Sequence, residues 1–383
     1  MTKTEMKVGH IPSLTWNHLA ANEGTVPKGT AVSSGVETRF EELPKGISHR
    51  KMTADEVTRW LQKNAPEEKP EAVVAGKTPI YHPQRFGTGL GAEYDAFLKK
   101  ANVCYEFLEV APHTVCEEPV TWSVEFGDGN QAAQGHLIHV GEGSSLTLLI
   151  RAASGKNDKG TAAFSTRIVL EQGAKLFLAK AQLMGSGYTF LDDTGASLAD
   201  KASLRMIQIE LGGGSVFVGT QPELIGNGAS FEAKTGYLGT MDRELDIYYN
   251  AVQRGRRTNV QMTFDGVLTD RSRKAFRGTI DFRKGSKGSK GDEQENVLLL
   301  SDDIVNKTLP IILCEEEDVE GRHGASIGQL DDEMLFYMAA RGIGRKEAEQ
   351  IMVRARLGAV AREIPDLALR AELMNKIEEA FAE

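Results

Sequence analysis

Few residues in this chain have the types and spacing that chemistry needs. Cys104, His113 and Cys116 are side chains zinc favours, but a structural zinc site would need a fourth ligand from elsewhere. Cysteines packed in or beside strands are the simpler reading. Gly76-Lys77-Thr78 ends like a phosphate-binding loop. Its opening glycine, however, should stand where Glu71 does, and Pro79 falls where a helix would begin donating N–H groups to phosphate. Gly87-x-Gly89-x-Gly91 has no strand before it and reads as a loop. There is no His-Glu-x-x-His or kinase signature. The expectation is a scaffold or binding protein, not an enzyme, with no catalytic residues to name and no cofactor-binding residues to assign.

Composition narrows the class. A net charge of −9 and a pI near 5.6 argue against non-specific nucleic-acid binding by the whole chain. No apolar run approaches the length of a membrane span, and Met1-Thr-Lys-Thr-Glu-Met-Lys lacks the apolar core of a signal peptide. Three cysteines are too few for a disulfide framework, so a reducing, cytoplasmic setting is expected. Positive charge gathers at Arg254-Gly-Arg-Arg and between Arg271 and Lys290, which reads as a solvated edge. Lys284-Gly-Ser-Lys-Gly-Ser-Lys-Gly, without apolar residues, is expected to be a mobile loop.

The elements that must position these residues fall into three stretches. Residues 1–102 read as a mostly helical region. Asn17-His-Leu-Ala-Ala-Asn makes a helical turn or two. Thr53 caps a helix with Glu56 three residues on and Val57, Trp60 and Leu61 on one face, and a shorter helix starts near Tyr94. Residues 103–329 change to short apolar or alternating runs that stop at Gly, Asn or Asp. With 40 glycines against 12 prolines, many short strands and tight turns are expected. Gly-plus-small-residue groups at 141, 171, 211 and 226 precede strands at irregular offsets. They suit a parallel β-helix, with a β-sandwich as the alternative. Residues 330–383 form three short amphipathic helices, with Ala348, Ile351, Met352 and Ala355 as the second one's stripe and Leu369, Leu373 and Ile377 on the third. Such a module either caps the end of the β-helix or docks a partner.

An ordered series in the last third carries a resemblance. Phe276-Arg-Gly is followed by Gln294 and Asn296, then Leu298-Leu-Leu-Ser-Asp-Asp, Glu317-Asp-Val-Glu-Gly-Arg-His-Gly-Ala-Ser-Ile-Gly, Leu330-Asp-Asp-Glu-Met-Leu-Phe-Tyr and Arg341-Gly-Ile. In this order the motifs resemble the SufB/SufD family of iron–sulfur cluster assembly proteins, and Thr15-Trp-Asn resembles the start of SufD-type members. The resemblance implies a mainly β fold with flanking α: a right-handed parallel β-helix between an N-terminal helical region and a C-terminal helical domain. It implies pairing through the β-helix end with a SufB-like paralogue or a second copy. It also implies docking of a SufC-like ABC ATPase on the C-terminal helices, for which Met334, Phe336, Tyr337, Arg341 and Arg345 are the expected contacts. ATP hydrolysis would then belong to the partner, and neither nucleic acid nor membrane is expected.

His323 matches the family histidine implicated in building the nascent cluster, and imidazole is a reasonable iron ligand. Many relatives carry a cysteine two residues earlier, where this chain has Gly321. A SufD-like subunit is therefore expected, binding no cofactor stably alone and meeting a transient iron–sulfur cluster in the complex. The alternative is a SufB-like or homodimeric scaffold that carries the cluster itself through Cys314 and His323. On sequence, Ile311-Ile-Leu-Cys makes Cys314 a buried strand residue, and the glycines around His323 make it a turn residue. A carbohydrate-active β-helix enzyme, from a different class, would need an acidic stripe that is not visible.

Overall fold

The computed structural model describes residues 5–13, 20–34, 36, 38–40, 43–65 and 86–380. The helix expected at Asn17, the Thr15-Trp-Asn motif and Gly76-Lys77-Thr78 lie wholly or mainly outside the described residues. The N-terminal segment carries strands as well as helices. These are β1 (Met6–Val8), β2 (Gly24–Val26), β3 (Ser33–Ser34), β4 (Thr38–Phe40), β5 (Ile47–Thr53), α1 (Ala54–Asn64) and α2 (Ala92–Lys100). Thr53 closes α1 with the expected reciprocal capping box, worth about 1 kcal/mol.

From Cys104 the chain winds through about 8 turns of a parallel β-solenoid, two strands to a coil. The first three coils are β6 (Cys104–Val110) with β7 (Val120–Phe126), β8 (Gln131–Val140) with β9 (Ser145–Ser154), and β10 (Lys159–Leu170) with β11 (Lys175–Leu183). Next come β12 (Gly187–Leu198) with β13 (Ser203–Glu210), β14 (Ser215–Leu224) with β15 (Ser230–Gly239), and β16 (Glu244–Gln253) with β17 (Asn259–Leu268). The last two coils are β18 (Arg273–Phe282) with β19 (Ser289–Leu299), and β20 (Val305–Cys314) with β21 (Val319–Gly328). Even-numbered strands stack in parallel into one sheet and odd-numbered strands into the other.

Inward-facing residues fill the space between the sheets, and aromatic rings meet within and between coils. Phe126, Phe164 and Phe190 follow one another at 6.0 and 5.5 Å between centroids, and Tyr249, Phe264 and Phe276 at 4.9 and 4.3 Å. Each such pair adds roughly 0.5–1.5 kcal/mol beyond burial.

One corner explains the glycines. His113, Gly143, Gly173, Lys201, Gly228, Arg257 and Gly288 all have φ between 55° and 75°. Each donates its N–H to a carbonyl of the next coil's corner, at 2.6–2.9 Å. The groups at 141, 171 and 226 belong to this ladder, whereas Gly212-Gly-Gly turns the opposite corner, so the offsets along the chain are irregular. Lys284–Gly288 is part of the same ladder rather than a mobile loop. Gly285 and Gly288 take positive φ, Ser286 and Ser289 are fully buried, and Ser289 Oγ accepts from Thr258 N–H at 3.0 Å.

The two ends differ. At the first coil β5 lies antiparallel on β6 and β4 antiparallel on β7. At the last coil β20 pairs only with β18, and β21 only with β19, among the described residues. The C-terminal helices are α3 (Asp332–Ala339), α4 (Arg345–Ala361) and α5 (Leu367–Glu379). They do not cap the last coil: α4 and α5 pack on the outer flank of the odd-numbered sheet. The buried face of α4 is Ala348, Val353, Leu357, Val360 and Ala361, while Ile351 and Ala355 of the expected stripe are exposed. The flank selects this stripe because Ile207, Ile209, Leu238 and Val267 of the sheet cover it. Leu369, Leu373 and Ile377 of α5 are buried as expected.

Candidate functional site

The last coil is the exposed part of the solenoid, and the expected cluster-assembly residues, Cys314 and His323, lie on it. Ile327, in register with the buried Val297 of the coil before, is 46% accessible because no further coil of the described residues covers it. His323 is not in a turn: it sits within β21, in register with Glu293 of β19. Strand parity fixes its side. A Cβ at Gly321 would touch Phe282 and Ile312 of the core, so Gly321 faces inward and His323, two residues on, faces the same way. The ring is exposed only because the coil is the last one.

Cys314 ends β20 in register with Phe282, and it is exposed rather than buried for the same reason. Its Sγ donates to the Glu316 carbonyl at 3.0 Å. Gly321 lies opposite Ile312, so Cys314 faces the start of β21, four residues before His323. That is about 13 Å along a strand. The two residues share a coil but do not converge on one ligand.

Beneath the last coil lies a charged interior. Lys274, Glu295, Tyr237 and Thr308 form one cluster: Lys274 pairs with Glu295, Tyr237 Oη donates to Glu295 at 2.8 Å, and Thr308 Oγ1 donates to it at 2.7 Å. Burial drives the Lys274 ammonium down, opposed by Glu295. Glu293, two residues from Glu295 on the same inward face, is 1% accessible, and neither carboxylate oxygen has a hydrogen-bond partner. Burial first, then the Glu295 charge, pushes its carboxyl up to about 8. Its carboxylate fills the space opposite Gly278, where a Cβ would come within 2.2–2.5 Å.

The basic run is therefore only partly a solvated edge. Lys274 is enclosed by Glu295, and Arg277 is fully buried on the outer face, where it pairs with Asp246 and donates to the Gly9 carbonyl at 3.1 Å. Arg271, Lys284, Lys287 and Lys290 are exposed. Sequence reasoning missed Glu293, Glu295 and Lys274. The available signal was Asp292-Glu-Gln-Glu-Asn in a strand, where period two puts both glutamates on one face.

Of the expected docking residues, Met334, Phe336 and Tyr337 lie on α3, which buries none of its residues, Arg341 follows it and Arg345 opens α4. Met334, Phe336 and Tyr337 are 43%, 76% and 57% accessible, and the Arg341 guanidinium stacks over the Tyr337 ring at 3.7 Å. Arg345 is exposed and pairs with Glu349 at 2.9 Å. Cys104, His113 and Cys116 do not converge: among the described residues no three His, Cys, Asp or Glu come together as metal ligands. No helix of the described residues is long and apolar enough to cross a membrane.

The fold and this end define a parallel β-solenoid closed at one end, open at the other and flanked by helices. Residues 124–356 match the family model described as SUF system FeS cluster assembly, SufBD core domain, and the chain belongs to that family. It is 25% identical over 276 residues to the iron–sulfur cluster assembly protein SufD of Bacillus subtilis, covering 71% of this chain and 63% of that one. It is 28% identical over 111 residues to SufD of Escherichia coli, covering 29% and 26% of the two chains. It is also 25% identical over 231 residues to a SufBD family protein of Pyrococcus horikoshii, covering 60% and 49%. The matches thus span less than two thirds of these relatives' own lengths.

Proposed function

We propose that this chain is a SufD-like scaffold subunit of iron–sulfur cluster assembly. It pairs through its open solenoid end with a SufB-like paralogue and docks a SufC-like ABC ATPase on its C-terminal helices, 330–383. It works in the cytoplasm, catalyses no reaction of its own and meets its cluster as transient cargo. The observation that carries this reading is the open end, where two unpaired strand edges present His323. An exposed strand edge is a ready template for another chain, and a soluble protein keeps one only where something covers it. The thiolate that imidazole lacks comes from the partner, since Gly321 offers none and Cys314 stands about 13 Å along the strands from His323.

The test is anaerobic cluster assembly by the reconstituted complex. His323→Ala should leave pairing, ATPase docking and the melting temperature nearly unchanged and should cripple cluster formation. Cys314→Ser should have the smaller effect. Loss of assembly in Cys314→Ser, with His323→Ala silent, would overturn the assignment and favour a scaffold that carries its own cluster.

A further inference from the structure

Glu293 is a buried acid without a counter-charge, and such a group is costly to keep. The neighbouring ammonium does not relieve it, because Lys274 is committed to Glu295 and Thr308. Room is made for it nonetheless, since any side chain at Gly278 would collide with its carboxylate. In the last coil, Pro310 lies in register over Gly278 and His323 in register over Glu293. His323 is thus the polar residue stacked on the acid's position, the two backbones one strand spacing of about 4.8 Å apart and both side chains facing the same interior. Gly321 and Ala325, its inward neighbours on β21, have no bulk to hold the ring in one rotamer.

We propose that Glu293 and His323 together form a two-ligand seat for a divalent transition-metal cation of the ferrous class. A carboxylate oxygen and an imidazole nitrogen suit such a cation, and the remaining positions are left to water and to the chain that covers the open end. The carboxyl proton leaves to solvent as the cation binds, and no electron moves. The orphaned carboxylate carries the inference: it is a ligand without a partner, set directly beneath a histidine. The inference rests on the reading of this end as an iron–sulfur assembly surface and adds Glu293 to it.

The experiment titrates cobalt(II) chloride, as a spectroscopic probe, into the full-length chain under anaerobic conditions, with ferrous iron followed by equilibrium dialysis. The wild type should give a ligand-field spectrum that saturates. Glu293→Gln and His323→Ala should each weaken binding by roughly tenfold or more, and the double variant should lose little beyond either. Cys314→Ser should bind as the wild type does. Glu293→Gln should melt no lower than the wild type, which separates lost ligation from lost fold. The seat is refuted if the wild type binds no cobalt, if Glu293→Gln binds it unchanged, or if only Cys314→Ser loses it. Cluster assembly in the complex tells this failure from that of the broader reading. Unaltered cobalt binding with assembly lost in His323→Ala removes the seat alone, whereas normal assembly in His323→Ala removes the broader reading.

Discussion

Polar residues inside the solenoid work against its apolar stacking, and around Asp192 most of them find partners. Lys180 pairs with Asp192 and reaches Thr194 at 3.1 Å, Gln208 donates to Asp192 at 3.0 Å, and Tyr249 donates to Gln208 at 2.9 Å. Glu210 accepts from Gln208 at 2.8 Å through one oxygen and leaves the other unpaired. Burial, then the Asp192 charge, pushes its carboxyl up to about 8 from 4.5. An acid raised on folding keeps its proton in the native state where the unfolded chain has released it. Its contribution is therefore whole below about pH 4.5 and is lost as pH rises toward 8. Glu210→Gln should leave stability unchanged near pH 4.5 and raise it by about 1–3 kcal/mol at pH 8. Denaturant unfolding of both proteins across that range measures it, and equal pH slopes would refute it.

At the scale of elements, the corner ladder and the flanking helices make separable contributions. Lys201 holds φ 58° in a ladder where most positions are glycine, so Lys201→Gly should stabilise by about 0.5–1 kcal/mol, and Gly228→Ala should cost about 1–2 kcal/mol. Leu357→Ala on the buried face of α4 should cost about 2–4 kcal/mol. Phe336→Ala on α3 should stay within about 0.5 kcal/mol yet weaken ATPase capture. Chemical denaturation and a pull-down check these in turn. The same elements show how far the chain could be read. The cap at Thr53, the apolar set of α5 and the strand runs were legible because their determinants are local. The buried stripe of α4 was not, because a sheet distant in sequence chooses it. Nor was the ladder's regularity, because the two corners interleave in sequence and positive φ also falls on His113, Lys201 and Arg257. His323 was singled out only through its resemblance to a family, and Glu293 was missed because its importance lies in a coil-to-coil register that one strand cannot reveal.

For the whole molecule, charge at the open end limits what can cover it. Asp302 and Asp303 are exposed at one corner of the last coil, and Glu315, Glu317, Asp318 and Glu320 at the other. Lys290–Glu320 at 2.9 Å, Arg283–Glu315 at 3.6 Å and Lys287–Asp318 at 3.9 Å tie three of them to cations one coil inward, and Arg322 acts on Glu320 from the last coil itself. Two copies meeting end to end would set acids against acids whichever corners met, whereas a chain with basic corners would find complementary charge. The lone chain should thus sediment as a monomer at low salt, and self-association should increase when Asp302, Asp303, Glu317 and Asp318 are changed to amides. A stable wild-type dimer at low salt would refute this. The antiparallel cover that β4 and β5 place on the first coil has a further consequence for growth. A stack of parallel coils with two free ends would be a monomer unit for polymerisation, since each end could template the next. With antiparallel strands of the chain itself laid over the first coil, the parallel register does not continue there, so coils stack in that register only at the other end and assembly favours a pair over a fibre.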